Sequence, residues 1–412
     1  MTEGKTIEGS ADPRTCKRGS VNEKMFALGD EPSAIRELFA YGLERKAEIG
    51  EENVFDYSIG NPSVPAPGIV KETILALMEE DPVALHGYTS AAGAPSVRQA
   101  VADRIRSRYG IEATPGQIYL TSGAAAGLAI SISAVTVPGD KVIVVSPYFP
   151  EYKTWIDQAG CEIVEVPACV PDFQIDIDAM DRAIDADVAA IIINSPNNPV
   201  GAVYSRENLE ALAALLERKQ VEFGHDVFVI SDEPYREITY GAEVPYVPCI
   251  WPNTIVCYSY SKSLSLPGER IGYIYVSDTM NNAHEVAVAV AGAGRALGYI
   301  CAPVLFQRVL EKCIDAPSDV DAYATNRKIL SEGLSKLGYE YVEPQGAFYL
   351  WVRALEDDAQ AFSDRAKEFE LLLVPSDSFG VGGWVRLSYC IARDVIERSM
   401  PAYAKLMDSY KS

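Results

Sequence analysis

Ser259-Tyr260-Ser261-Lys262, with Arg270 eight residues on, is the part of this chain best equipped for covalent chemistry. A lysine amine condenses with an aldehyde to an imine, while hydroxyls and a guanidinium offer donors to a phosphate. Pyridoxal phosphate carries both groups. A lysine after serines is more often a solvated loop residue, so this short pattern needs company elsewhere in the chain.

Other residues supply it. Ser122-Gly123-Ala124 stands directly ahead of a helix, whose first amides favour an anion. A buried Asp232 would keep a pyridine nitrogen protonated and make the ring a stronger electron sink. Tyr235 and Asn198 suit a ring oxygen, and Phe149 can pack on the ring face. Arg386 sits in the otherwise apolar Trp384-Val385-Arg386-Leu387-Ser388 and must find a counter-charge, from protein or ligand. Its two-pronged fork suits an α-carboxylate, to which Gly60-Asn61-Pro62 could add a backbone N–H and an amide.

The elements that must position these residues alternate. Short β-rich runs at Gln117–Leu120, Val142–Val145, Glu162–Val166, Val188–Ile193, Val227–Ile230, Thr254–Tyr258 and Ile271–Val276 predict strands. Helical periodicity appears at Ala94–Tyr109, Ala124–Val135 and Arg206–Lys219. This predicts an α/β fold: a large domain, residues 65–328, with a mostly parallel seven-stranded sheet covered by helices. A smaller α+β domain is expected from the two chain ends, residues 1–64 and 329–412, with a helix over Pro32–Ile49, strands at Gly346–Val352 and Trp384–Tyr389, and a last helix from Ala392. In such sheets ligands gather beyond the carboxyl ends of the strands, where five of the polar segments fall.

Composition narrows the function. A net charge of −22 argues against nucleic-acid binding and against adhesion to anionic lipid. No stretch reaches the ~20 apolar residues of a membrane span, and Met1-Thr2-Glu3-Gly4-Lys5 has no apolar signal core, so a cytoplasmic protein is expected. Eight cysteines without C-x-x-C spacing and three scattered histidines give no metal site, and the cysteines read as buried free thiols.

Taken in order, these residues make the chain resemble the fold type I, class I/II aminotransferases of the aspartate aminotransferase superfamily, from about Tyr57 to Ile391. The resemblance lies in Asn194-Ser195-Pro196-Asn197-Asn198-Pro199-Val200-Gly201, Asp232-Glu233-Pro234-Tyr235, Ser259 through Arg270, and Val385-Arg386-Leu387-Ser388. It implies that Lys262 anchors pyridoxal phosphate and moves the Cα proton, with Asp232 at the pyridine nitrogen and Asn198 and Tyr235 at the ring oxygen. Phe149 would stack on the ring, while Ser122, Gly123, Ala124, Ser259, Ser261 and Arg270 hold the phosphate. Gly60, Asn198 and Arg386 would bind the substrate. Tyr88 matches a tyrosine that reaches the neighbouring subunit's phosphate, which implies a homodimer with shared active sites. The implied activity is ping-pong transfer of an amino group between an amino acid (aspartate-like, aromatic or neutral) and a 2-oxo acid such as 2-oxoglutarate.

Two departures bear on that reading. Val200 replaces a usual threonine, and Ala125 stands where one branch carries a lysine for a distal carboxylate. Arg295 lies near the position of an arginine that does this job from the partner subunit in another branch, although a structural ion pair is the stronger reading. C–S β-elimination on the same scaffold and a non-catalytic regulatory binding module are the alternatives.

Overall fold

The computed structural model of the protein describes residues 21–30 and 33–411. Cys16, Pro32 and the first twenty residues of the expected smaller domain lie outside them. After a two-residue strand β1 (Phe55–Asp56) come seven strands of one sheet. These are β2 (Ile118–Thr121), β3 (Lys141–Ser146), β4 (Glu162–Pro167), β5 (Val188–Asn194), β6 (Phe228–Asp232), β7 (Thr254–Ser259) and β8 (Gly272–Val276). Their spatial order is β2-β8-β7-β6-β5-β3-β4. The central strands read as near-continuous Val and Ile runs because helices cover both faces. This is the mostly parallel seven-stranded α/β sheet expected from the alternation.

One strand departs from the parallel direction. β8 runs antiparallel to both β2 and β7. Its first residue, Gly272, pairs with Thr121 on one side and Ser259 on the other. The start of β8 therefore lies at the edge where β2 and β7 end, and Arg270 arrives there with it.

Gly272 is also the tightest point of that edge. A Cβ there would stand 2.2 Å from the Tyr258 carbonyl oxygen and 3.1 Å from the Gly123 Cα, both backbone atoms that cannot swing aside.

A second sheet follows, formed by β9 (Tyr341–Val342), β10 (Tyr349–Arg353), β12 (Val374–Pro375) and β13 (Trp384–Ser388), while β11 (Leu371–Leu372) pairs with β1. In its register Trp351 faces Arg386 across β10 and β13. Helices Val320–Leu337 and Arg393–Asp408 cover it, burying Leu330, Leu334, Ile396 and Leu406. The same core contains Tyr235 and Ile238 from the turn after β6, so the two sheets meet at the strand ends.

The expected strand at Gly346–Val352 begins later, at Tyr349. Ala347 has φ 57° and donates to Ile238 O, so the chain turns there instead of extending. The cysteines are free among the described residues, yet the reading of all of them as buried fails. Cys249 is exposed, and Cys169 and Cys301 are partly so. No helix of the described residues is long and apolar enough to cross a membrane.

Gly272→Ala should lower stability by about 1–3 kcal/mol, the usual cost of overpacking, read as a fall in thermal midpoint. An unchanged midpoint would refute the packing described for this corner.

Candidate active site

A cavity of about 280 Å³ opens where the strand ends meet the second sheet. Helix Ala124–Val135 contributes Ala124, Ala125 and Leu128; the segment after β3 contributes Phe149 and Trp155; and Asn198 follows β5. Asp232, Pro234 and Tyr235 come from β6 and its turn, and Ser259, Ser261 and Lys262 from β7 and the turn after it. Arg270 precedes β8, Gly60 and Ile59 follow β1, and Tyr349 and Arg386 belong to β10 and β13.

Three cations line this space without a carboxylate partner among the described residues. Lys262 Nζ donates to the Gly60 carbonyl at 2.6 Å. Burial brings its amine down to about 8, and Arg386 and Arg270 push the same way. Arg270 Nη1 reaches the Ser261 hydroxyl at 3.4 Å and the Pro267 carbonyl at 3.1 Å. Arg386 is 2% exposed, and burial lowers its pKa. It donates to Asn198 Oδ1 at 3.1 Å and to the Ser58 carbonyl at 2.6 Å, while Nε has no acceptor among the described residues. The described residues thus supply none of the counter-charge expected for Arg386. Neutral oxygens and the Tyr349 ring, 4.6 Å from its guanidinium carbon, surround it instead.

Asp232 is the acidic member of the wall. Burial raises its carboxyl to about 7; a hydrogen bond from Tyr152 opposes the rise and nearby Glu233 adds to it. Tyr152 Oη donates to Asp232 Oδ2 at 2.6 Å, and Oδ1 has no partner among the described residues. Asn194 Nδ2 donates to the Asp232 carbonyl at 2.8 Å and Asn194 Oδ1 accepts from the Asn198 amide at 2.7 Å, locking the ends of β5 and β6 together.

The hydroxyls form short links. Ser259 and Ser261 Oγ lie 2.8 Å apart, and Tyr235 and Tyr349 Oη also lie 2.8 Å apart. Gly60 is required beside the second pair, because a Cβ there would fall 2.2 Å from Tyr349 Oη. Gly123, with φ 82°, opens helix Ala124–Val135, and a Cβ on it would fall 2.8 Å from Arg270 Nη2. Backbone amides and a guanidinium thus meet at one end of the cavity.

Of the residues singled out in the sequence, Ala124, Phe149, Asn198, Asp232, Tyr235, Ser259, Ser261, Lys262, Arg270, Gly60 and Arg386 line the cavity together. Ser122 and Gly123 sit just behind Ala124 and do not line it. Tyr88 stays outside, 98% exposed on its own chain. Arg295 is exposed and makes no ion pair among the described residues. Sequence reasoning missed Tyr152, Trp155 and Tyr349, which stand in aromatic runs indistinguishable from core.

The chain matches the family model described as aminotransferase class I and II over residues 52–400. It is 30% identical over 367 residues to the aspartate aminotransferase of Thermotoga maritima, covering 88% of this chain and 92% of that one. It is likewise 30% identical to the aspartate/prephenate aminotransferase of Thermus thermophilus, over 92% of this chain and 96% of the relative. Among solved structures, an amino transferase from Eubacterium rectale superposes with a TM-score of 0.93 at 53% identity, covering 95% of this chain and 99% of that one.

An amine titrating near 8 is half neutral at that pH, whereas an ordinary lysine there is under ~1% neutral. Trapping an aldehyde on Lys262 with borohydride should therefore rise with pH through a midpoint about 8, followed by peptide mapping of the cofactor-free protein. A midpoint above ~10, the ordinary lysine value, would contradict the environment described for this amine.

Proposed function

The chain belongs to the class I and II aminotransferases, pyridoxal phosphate-dependent enzymes, and we propose that this cavity moves an amino group between an L-amino acid and a 2-oxo acid such as 2-oxoglutarate, one substrate after the other. One observation carries the reading. In a chain of net charge −22, Lys262, Arg270 and Arg386 converge on one space with no carboxylate among the described residues to neutralise them, while the one carboxylate of the wall keeps an oxygen free.

These residues fit pyridoxal phosphate. Ser259, Ser261 and Arg270, with the amides of the Ser122–Ala124 turn, would hold its phosphate, and Lys262 its aldehyde carbon. Asp232 Oδ1 would meet its pyridine nitrogen, Asn198 and Tyr235 its ring oxygen, and Phe149 its face. When bound, the cofactor supplies an aldehyde that condenses with amines and a ring that accepts the electron pair released at Cα.

The protein's own groups do the rest. Arg386, already desolvated, binds the substrate α-carboxylate through its fork and so turns the Cα–H bond toward Lys262. A Lys262 amine near 8 is neutral often enough at neutral to mildly alkaline pH to take the Cα proton, then to return it as the ammonium. Pro234, Phe149 and Trp155 keep the walls apolar and water-poor around that transfer.

We assign residues 65–328 to the cofactor-holding domain and residues 1–64 with 329–412 to the smaller one. The working form is a homodimer with shared active sites. The outward Tyr88 and the exposed Ile69, Leu75, Met78, Leu297, Tyr299 and Ile300 support this arrangement. Relatives named for aspartate and prephenate support an amino-acid donor; Ile35, Ile59 and Leu128 suit apolar or aromatic side chains, and a neighbour's Arg295 a distal carboxylate. A cytoplasmic location completes the reading.

Twenty amino acids offered with and without 2-oxoglutarate should give keto acid only when the acceptor is present. Pyruvate and ammonia without an acceptor would point to elimination instead. Lys262→Ala should abolish turnover, and retained activity would remove the lysine from the mechanism. Arg386→Ala should lower kcat/KM for amino acids by about 10²- to 10⁴-fold, from two charged hydrogen bonds worth about 1.5–3 kcal/mol each. Amines lacking the α-carboxylate should be little affected.

A further inference from the structure

Tyr152 does not line the cavity, yet its hydroxyl acts on the one carboxylate that does. It sits in the first turn of helix Glu151–Gln158, 1% exposed, with its amide donating to the Phe149 carbonyl. Phe149 packs edge-on against its ring at 5.8 Å, and Trp155 and Tyr148 flank it at 6.2 and 6.4 Å. Held this way, the ring has little freedom to turn. Its hydroxyl has one acceptor among the described residues, Asp232 Oδ2 at 2.6 Å.

The geometry splits the two oxygens of Asp232 by role. Oδ2 is occupied by Tyr152, and Oδ1 is buried without a donor in a residue of the cavity wall. A buried carboxylate oxygen without a donor is costly unless a ligand supplies one. We propose that Tyr152 is a positioning residue for cofactor binding: it holds the Asp232 carboxylate in the orientation that presents Oδ1 to the cofactor's pyridine nitrogen and supports the charged carboxylate there. The inference rests on the reading that Asp232 meets that nitrogen. Burial and Glu233 both favour the neutral carboxyl, and the Tyr152 hydrogen bond works against them. Burial also keeps the tyrosine itself a neutral donor, its hydroxyl pushed well above the ordinary value.

A double-mutant cycle on cofactor affinity tests this, using Tyr152→Phe, Asp232→Asn and the pair, with equilibrium dialysis against pyridoxal phosphate. Tyr152→Phe should weaken binding by about tenfold when Asp232 is intact, the scale of one hydrogen bond to a charged group. In the Asp232→Asn background, where a neutral amide replaces the carboxylate, the same change should cost less than about twofold. Equal losses in the two backgrounds, or no loss in either, would overturn the role given to Tyr152. Wild-type affinity in Asp232→Asn alone would instead overturn the placing of Asp232 at the nitrogen. Thermal midpoints of the four cofactor-free proteins separate a packing defect from the proposed effect, because a packing defect weakens binding in both backgrounds alike.

Discussion

Desolvated positive charge left unpaired by the protein is the constraint around which this fold is arranged. Acidic side chains outnumber basic ones 58 to 36, and other well-placed arginines find one: Arg236 pairs with buried Glu233, Arg45 with Glu370, Arg108 with Glu237. Among the described residues, Arg386 and Arg270 are given only neutral oxygens, and of the two Arg386 is the buried one, Arg270 being exposed. A buried cation without an anion costs stability, so such a site persists when binding an anionic ligand repays it.

The topology makes this storage possible. Parallel strands deliver backbone turns to a common edge, while antiparallel β8 delivers Arg270 to that edge from the opposite direction. The second sheet closes the space by laying β10 and β13 against the turns after β6 and β5, where Tyr349 meets Tyr235 and Arg386 meets Asn198. Each sheet therefore supplies groups that the other lacks: Lys262, Arg270 and the serine hydroxyls from one, the Arg386 guanidinium from the other.

Much of this was legible from residue order. Val and Ile runs marked the central strands β3, β5, β6 and β7, because strands buried on both faces must be apolar throughout, while edge strand β4, with Glu162 and Glu165, was marked by its alternation. The site residues stood out as polar groups just beyond those runs. The direction of β8 was less visible, because the segment from Tyr260 to Ile271 is just long enough for the crossover a parallel neighbour needs and so decides neither direction. Tyr152 and Tyr349 were missed for a physical reason. Their rings pack like core residues, and only the position of a single hydroxyl, set by tertiary contacts, separates them from their neighbours. Ala347 shows the reverse failure, an apolar residue at the head of an apolar run whose left-handed backbone delays the start of the strand.

Lys262 and Arg270 belong to one brief excursion between β7 and β8, pinned at its base by the pairing of Ser259 with Gly272. Their separation is thus a property of a hairpin rather than of how distant parts of the chain dock. Substitutions elsewhere can reshape the rest of the cavity without altering that spacing, whereas loss of a single residue between Ser263 and Glu269 would change the span between amine and guanidinium. The excursion behaves as a ruler: inheritable as a unit, tolerant of changes around it, and intolerant of any change in its length.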